Sequence, residues 1–210
     1  NDDPITGTVG EVIETLQSKS SDYAGNITIT DASGVSIIAS NLSIIGAATT
    51  GTVTVSNAIK ISGSQSDVTA ALVTESSKVV AGASGTIANV TDSVTAAQGQ
   101  DIAATTNISA AFAGGVTDSV ANLYDANNNA ITTNFSAVKT DDADVAVTIA
   151  DAAFANSNST VSAAALKTIG NATTGTVTVS NAIKISGSQS QLTAALVTAA
   201  SKVNAGTALV

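Results

Sequence analysis

The chain has 210 residues, 44% of them hydrophobic, yet aromatics make up 2% and Trp, Met, Cys and His are absent. Seven Lys against sixteen acids give a net charge of −9. With no Arg and few rings, the phosphate clamps and stacking platforms of nucleic-acid binding are excluded. Ser-His-Asp and Cys-His catalysis is excluded too, and no apolar run approaches the roughly 18 residues of a membrane span.

The apolar content is therefore small and aliphatic, which suits many shallow layers better than one deep core. A mean hydropathy of +0.33 and abundant Val, Ile and Thr argue against disorder. Thirteen of the acids are Asp, the carboxylate that favours turns and caps.

In chain order, EVIETL (11–16) has helical spacing, and NITIT (26–30) alternates as a half-buried strand does. A helix pattern over 35–45 (VSIIASNLSII) precedes a strand at 52–56 (TVTVS) and a capped helix at 66–73 (SDVTAALV). TIANV (86–90) reads as a strand, and DSVTAA (92–97) and DSVANL (118–123) as short helices. The segment 124–144, YDANNNAITTNFSAVKTDDAD, has no place in this alternation and reads as a looped-out insertion with its own hairpin. Strand 145–149 (VAVTI), helix 160–169, strand 176–180 (TVTVS) and helix 190–197 complete the series.

Self-similarity is the strongest signal. TTGTVTVSNAIKISGSQS from Thr49 to Ser66 recurs without a change from Thr173 to Ser190, an offset of 124 residues. The likeness continues more loosely through 67–82 and 191–206. Successive helices begin 25 to 41 residues apart, the size of a solenoid coil. The expected fold is one parallel β-solenoid of about seven coils over 1–210, with short helices opposite a single sheet. A pure right-handed β-helix is the alternative. In either, Val53 and Val55 share a core column with Val177 and Val179. The opening NDDPITG, without Met, reads as a processed or excised product, and the apolar Leu209 and Val210 as a solenoid end where the chain continues or meets another copy end to end.

Units such as GTVTVSNAIKISGSQSDVTAAL resemble the Ala/Thr/Asp-rich repeats of very large surface proteins of cyanobacteria and other aquatic bacteria. Coil length also resembles that of leucine-rich repeats, although the Leu and Asn positions of that consensus are missing. The resemblance to the surface proteins implies secretion to the cell surface, often by a type I route, and a structural or adhesive role in a surface layer or matrix without enzymatic activity. Its partners would be other copies or flanking repeats, and surface glycans.

Few residues suggest chemistry. Asp125, Asn127 and Asn129 place oxygens at positions 1, 3 and 5 of an EF-hand-like loop. Ala130 stands where that loop needs Gly and Ser136 where it needs Glu, so Asp141 or Asp144 must complete a calcium cage. An Asn-rich turn explains the same residues. Asp141, Asp142 and Asp144 are also the candidate carboxylates of a polysaccharide-active β-helix, and Ser77 with Lys78 a candidate Ser–Lys pair. Repeated Thr at 28/30, 52/54 and 176/178 would stack into a flat ladder of the kind that binds ice. Asn-x-Ser/Thr triplets stand at Asn26, Asn41, Asn89, Asn107, Asn134, Asn158 and Asn171.

Overall fold

The computed structural model describes residues 2–19, 23–105, 108–154, 160–206 and 208; Asn107, Asn158, Leu209 and Val210 lie outside them. The chain divides into two compact units. One comprises Asn1–Asp92 and Asp101–Ala111, the other Ser93–Gln100 and Phe112–Val210.

The first unit runs β1 (Ile5–Gly7), α1 (Val9–Gln17), β2 (Ile27–Ile29), β3 (Ser36–Ile38), α2 (Ala39–Ala47), β4 (Val53–Val55), β5 (Lys60–Gly63), α3 (Gln65–Val68), β6 (Val79–Ala81) and β7 (Thr86–Val90). Next, α4 (Ala96–Ala103) and β8 (Ile108–Phe112) each have residues in both units. Two sheets result, ordered β1-β2-β4-β6 and β3-β5-β7-β8. In the first, parallel pairing aligns Ile5, Ile27, Val53 and Val79 in one rank. In the second, Ile37, Ile61 and Ala88 align. Strands of three to five residues are short for any sheet, so stability comes from these ranks, whose inward members Ile27, Val53, Ile61 and Ala88 are wholly buried. Helix α1 starts where Thr8 and Glu11 form a reciprocal capping box, with the Thr8 N–H donating to Glu11 Oε2 at 2.8 Å. It buries Val9 and Val12.

The second unit runs β9 (Val116–Asp118), α5 (Val120–Leu123), β10 (Tyr124–Asp125), β11 (Ala130–Ile131), α6 (Thr133–Asp141), β12 (Val147–Ile149), β13 (Thr160–Ser162), α7 (Ala163–Ala172), β14 (Val177–Val179), β15 (Lys184–Ser186), α8 (Gln189–Leu192) and β16 (Val203–Asn204). Its sheets are β16-β14-β12-β9, the pair β13-β15, and the antiparallel hairpin β10-β11. Phe112 and Phe135 are buried here, and Tyr23 in the first unit, so rings fill part of both cores.

The expected single solenoid of about seven coils is therefore corrected, and so is the alternative of a pure β-helix. The chain is a mixed α/β fold with several separate parallel sheets, eight α-helices among the described residues, and one antiparallel pair. The physical reason is a second row of strands. Most repeats contribute two strands to two different sheets, not one strand to one sheet, and helices of nine or ten residues bury faces of their own. Val53 and Val177 likewise lie in different sheets, one per unit.

One contact recurs between repeats. The first N–H of a helix donates to an Asp carboxylate that ends or follows a strand of the next repeat. Val9 donates to Asp31 (2.8 Å), Gln65 to Asp92 (2.5 Å), Ala96 to Asp118 (3.0 Å) and Val120 to Asp151 (2.7 Å). Each carboxylate meets an otherwise unmatched amide at the positive end of a helix.

The duplicated segment makes the same contacts twice. Ser56 Oγ donates to the Ile29 carbonyl and Ser180 Oγ to that of Ile149. Asn57 Nδ2 donates to the Asp31 carbonyl and Asn181 Nδ2 to that of Asp151, each at 2.8 Å. Gly46 and Gly170 lie so close to the Ser77 and Ser201 carbonyls that a Cβ on either would overlap the oxygen.

Removing a carboxylate that serves several donors tests this reading. Asp118 is buried and accepts from the N–H groups of Ala96 and Ser119 and from Asn122 Nδ2. Asp118→Ala is expected to destabilise the second unit by about 2–3 kcal/mol, read by urea denaturation. A loss near zero would show that these bonds do not hold the repeats together.

Candidate functional site

The residues read as calcium ligands form a turn. Asp125 ends β10, and its Oδ1 accepts the Asn127 N–H at 2.9 Å while Oδ2 accepts Asn128 Nδ2 at 2.6 Å. These bonds hold its carboxyl below the ordinary range, that from Asn128 most of all. Asn129 adopts the left-handed conformation (φ 51°) that closes the hairpin, and its Oδ1 accepts the Tyr124 hydroxyl at 2.6 Å. Asp141 ends α6, and Asp144 lies just beyond it. Among the described residues no three His, Cys, Asp or Glu side chains gather as a metal site.

The acidic run 141–144 is part of the packing. Asp142 Oδ2 accepts the Phe112 N–H at 2.7 Å. Burial, with the Asp144 carboxyl beside it, pushes the Asp142 carboxyl above its usual range despite that bond. Ser77 and Lys78 do not form a nucleophile–base pair. Ser77 is buried with its Oγ accepting the Val79 N–H, and Lys78, at φ 55°, donates through Nζ to the Gly46 and Ser76 carbonyls. Ser201 and Lys202 repeat the turn, with Lys202 at φ 54°.

Of the Thr pairs, one member of each aligns in a single row per unit, while Thr30, Thr52 and Thr176 lie outside the strands. Thr6, Thr28 and Thr54 align on neighbouring strands, as do Thr117, Thr148 and Thr178. Of the triplet asparagines, Asn89 is buried, with Nδ2 donating to Ser62 Oγ.

Sequence reasoning missed a groove in the second unit, an open depression of about 920 Å³. Asp118, Asn122, Tyr124, Asp125 and Thr132 line it on one side, and Asp151 with β13 on another. Its signal in the sequence was the interruption at 124–144, whose hairpin supplies part of the lining. Three carboxylates and no Lys line it, which disfavours anionic ligands.

Comparison with known proteins finds no matching family model, no matching curated sequence and no matching solved structure.

Two measurements follow. For Asp142 the folded value lies above the unfolded one, so the folded chain binds more protons between them. Stability contributed by this group should thus fall as pH rises from the ordinary carboxylate value through the raised folded value. Asp142→Asn should flatten that slope in pH-dependent melting; an unchanged slope assigns the effect elsewhere. For Asp125, Asp125→Ala should lower the melting temperature in calcium-free buffer because the turn loosens. A rise on adding millimolar calcium, absent from the variant, would place the ion there.

Proposed function

We propose that this chain is a non-enzymatic structural and adhesive module of a secreted bacterial surface layer or matrix, acting by association with copies of itself or with like repeats. One observation carries the reading: an 18-residue sequence is duplicated without change and spends its side chains on the same contacts between repeats in both units. A site of chemistry is seldom copied so literally, whereas a building element gains from it. The resemblance to Ala/Thr/Asp-rich surface repeats supports the same conclusion, and so does the amount of Asp committed to holding helix ends. Calcium at the β10–β11 turn and glycans in the groove are the ligands this role would take.

The aligned Thr favour a second reading, ice binding, because hydroxyls and methyls at strand spacing form a regular array. A freezing point held below the melting point by the purified chain would support it; ordinary ice growth would remove it.

The structural reading is tested by cell fractionation and by light scattering. Surface-extractable protein and a mean mass that rises with concentration are expected. An intracellular protein that stays monomeric at the highest soluble concentration would overturn it.

A further inference from the structure

The two units give an internal control for the groove in the second. In each, a helix begins on the same bond: the Val9 N–H donates to Asp31 Oδ2 in the first, and the Val120 N–H to Asp151 Oδ2 in the second. From that start α1 continues for nine residues and packs against α2. Its counterpart α5 stops after four, and the chain leaves through the β10–β11 hairpin. The groove lies between α5 with the hairpin on one side and β13 with the start of α7 on the other, and every residue that lines it belongs to the second unit. A shortened helix thus leaves an opening of about 920 Å³, within the roughly 300–1,000 Å³ of ordinary ligand sites.

Apolar and polar groups line it together. Val120, Val161 and Ala165 are buried beneath it. Beside them the half-buried ring of Tyr124 is held in place by its hydroxyl, which donates to Asn129 Oδ1 at 2.6 Å. A ring held in this way is a flat apolar plate. Asp151 spends Oδ2 on the Val120 N–H, while its Oδ1 has no partner among the described residues. The side-chain amide of Asn127 is exposed and likewise has none among them. One fixed acceptor and one donor therefore stand open next to the plate.

Charge narrows the choice of ligand. Among the described residues the acids do not gather in threes around a cation site. Asp118 and Asp151 are already bonded to backbone N–H groups, and no Lys in the lining meets an anion. An uncharged ligand rich in hydroxyls, with a C–H face to lay against a ring, satisfies all of these groups.

We infer, resting on the glycan reading above, that the groove binds an uncharged oligosaccharide. One sugar hydroxyl donates to Asp151 Oδ1, another accepts from Asn127 Nδ2, and a sugar ring lies against Tyr124.

Titration of the 210-residue chain with hexasaccharides of glucose, galactose and mannose tests this, read by calorimetry and by tyrosine fluorescence. The chain has two Tyr and no Trp, and Tyr23 is buried, so a change in emission reports on Tyr124. At least one hexasaccharide should bind at millimolar concentration or below, whereas oligogalacturonate and a lysine hexapeptide should not. Asp151→Asn keeps an oxygen for the Val120 N–H but loses the charged acceptor, and should weaken binding at least about tenfold. Tyr124→Ala should do the same, and Tyr124→Phe, which keeps the ring, should retain binding. Ala121→Lys, at an exposed position in the lining, should block the groove and leave the melting temperature unchanged. Affinity undiminished in both Asp151→Asn and Ala121→Lys would overturn this site. Binding of the lysine peptide alone would overturn the sugar in favour of a cationic partner. No binding by any of the hexasaccharides would overturn the inference, while the self-associating role stands or falls separately on light scattering.

Discussion

Strands of two to five residues cannot hold a sheet by their own length, so the described parallel strands depend on neighbours presenting similar short segments in register. One or two inward side chains per strand are all that each repeat contributes to a rank. Ile27 over Val53, or Val147 over Val177, gains its burial from the residues before and after it in the ladder. The scarcity of large rings follows. A column advancing by one strand spacing, about 4.8 Å, is filled by Val, Ile and Ala, and a ring at such a position would reach into the next rank. Tyr23 precedes β2 and Phe135 lies on α6, both outside the parallel strands, while Phe112 is the last residue of β8.

Parallel ranks leave the direction perpendicular to the strands to be fixed by other means, and the Asp–helix bonds do this. Each ties the start of one helix to a strand end in the repeat that follows, at separations of 22 to 31 residues. Glu reaches farther and holds its geometry less firmly, which suits Asp to all four of these positions. Close approaches such as Gly46 against Ser77 and Gly51 against the Gly25 carbonyl serve the same end, because only a residue without Cβ lets successive repeats sit at strand spacing.

These features were unequally visible in the sequence. Val-Thr-Val and its relatives announce their strands, since an alternating triplet flanked by Gly or Asn has few other readings. Three helices were visible from their apolar spacing, but their starts were read at Glu11, Ser66 and Ser190, whereas Thr8, Ser64 and Ser188 cap them two or three residues earlier. Most of the second row of strands was hidden, β7 at 86–90 being the member that was read as a strand. Lys60-Ile61-Ser62-Gly63 shows a single apolar residue, so nothing alternates, and only pairing with Ile37 and Ala88 reveals it as a strand. Missing that row turned two sheets per repeat into one and led to the solenoid expectation. The Asp125 loop is ambiguous for a different reason. Oxygen-rich side chains at every second position serve a tight turn as readily as a cation, and the choice depends on whether other carboxylates converge, which spacing does not encode. The groove was invisible because its walls come from β9, β13 and the hairpin, far apart in sequence.

Duplication separates what the architecture needs from what it leaves free. Positions that met another repeat's backbone stayed fixed between the copies: Ser56 and Ser180, Asn57 and Asn181, and the left-handed Lys78 and Lys202. The five positions that differ between 67–82 and 191–206 are Asp67, Val68, Glu75, Ser76 and Val80; the first two are more covered in the first unit than their counterparts in the second, and the other three are exposed in both copies. Val68, sealed in the first unit, became the larger Leu192 where space is open, and the exposed Val80 became Asn204. Loss of both acids from this stretch left the Lys residues unopposed. The internal contacts therefore constrain the repeat's skeleton and leave its outer faces to be set by charge and apolar area, the two quantities that govern how one folded surface meets another.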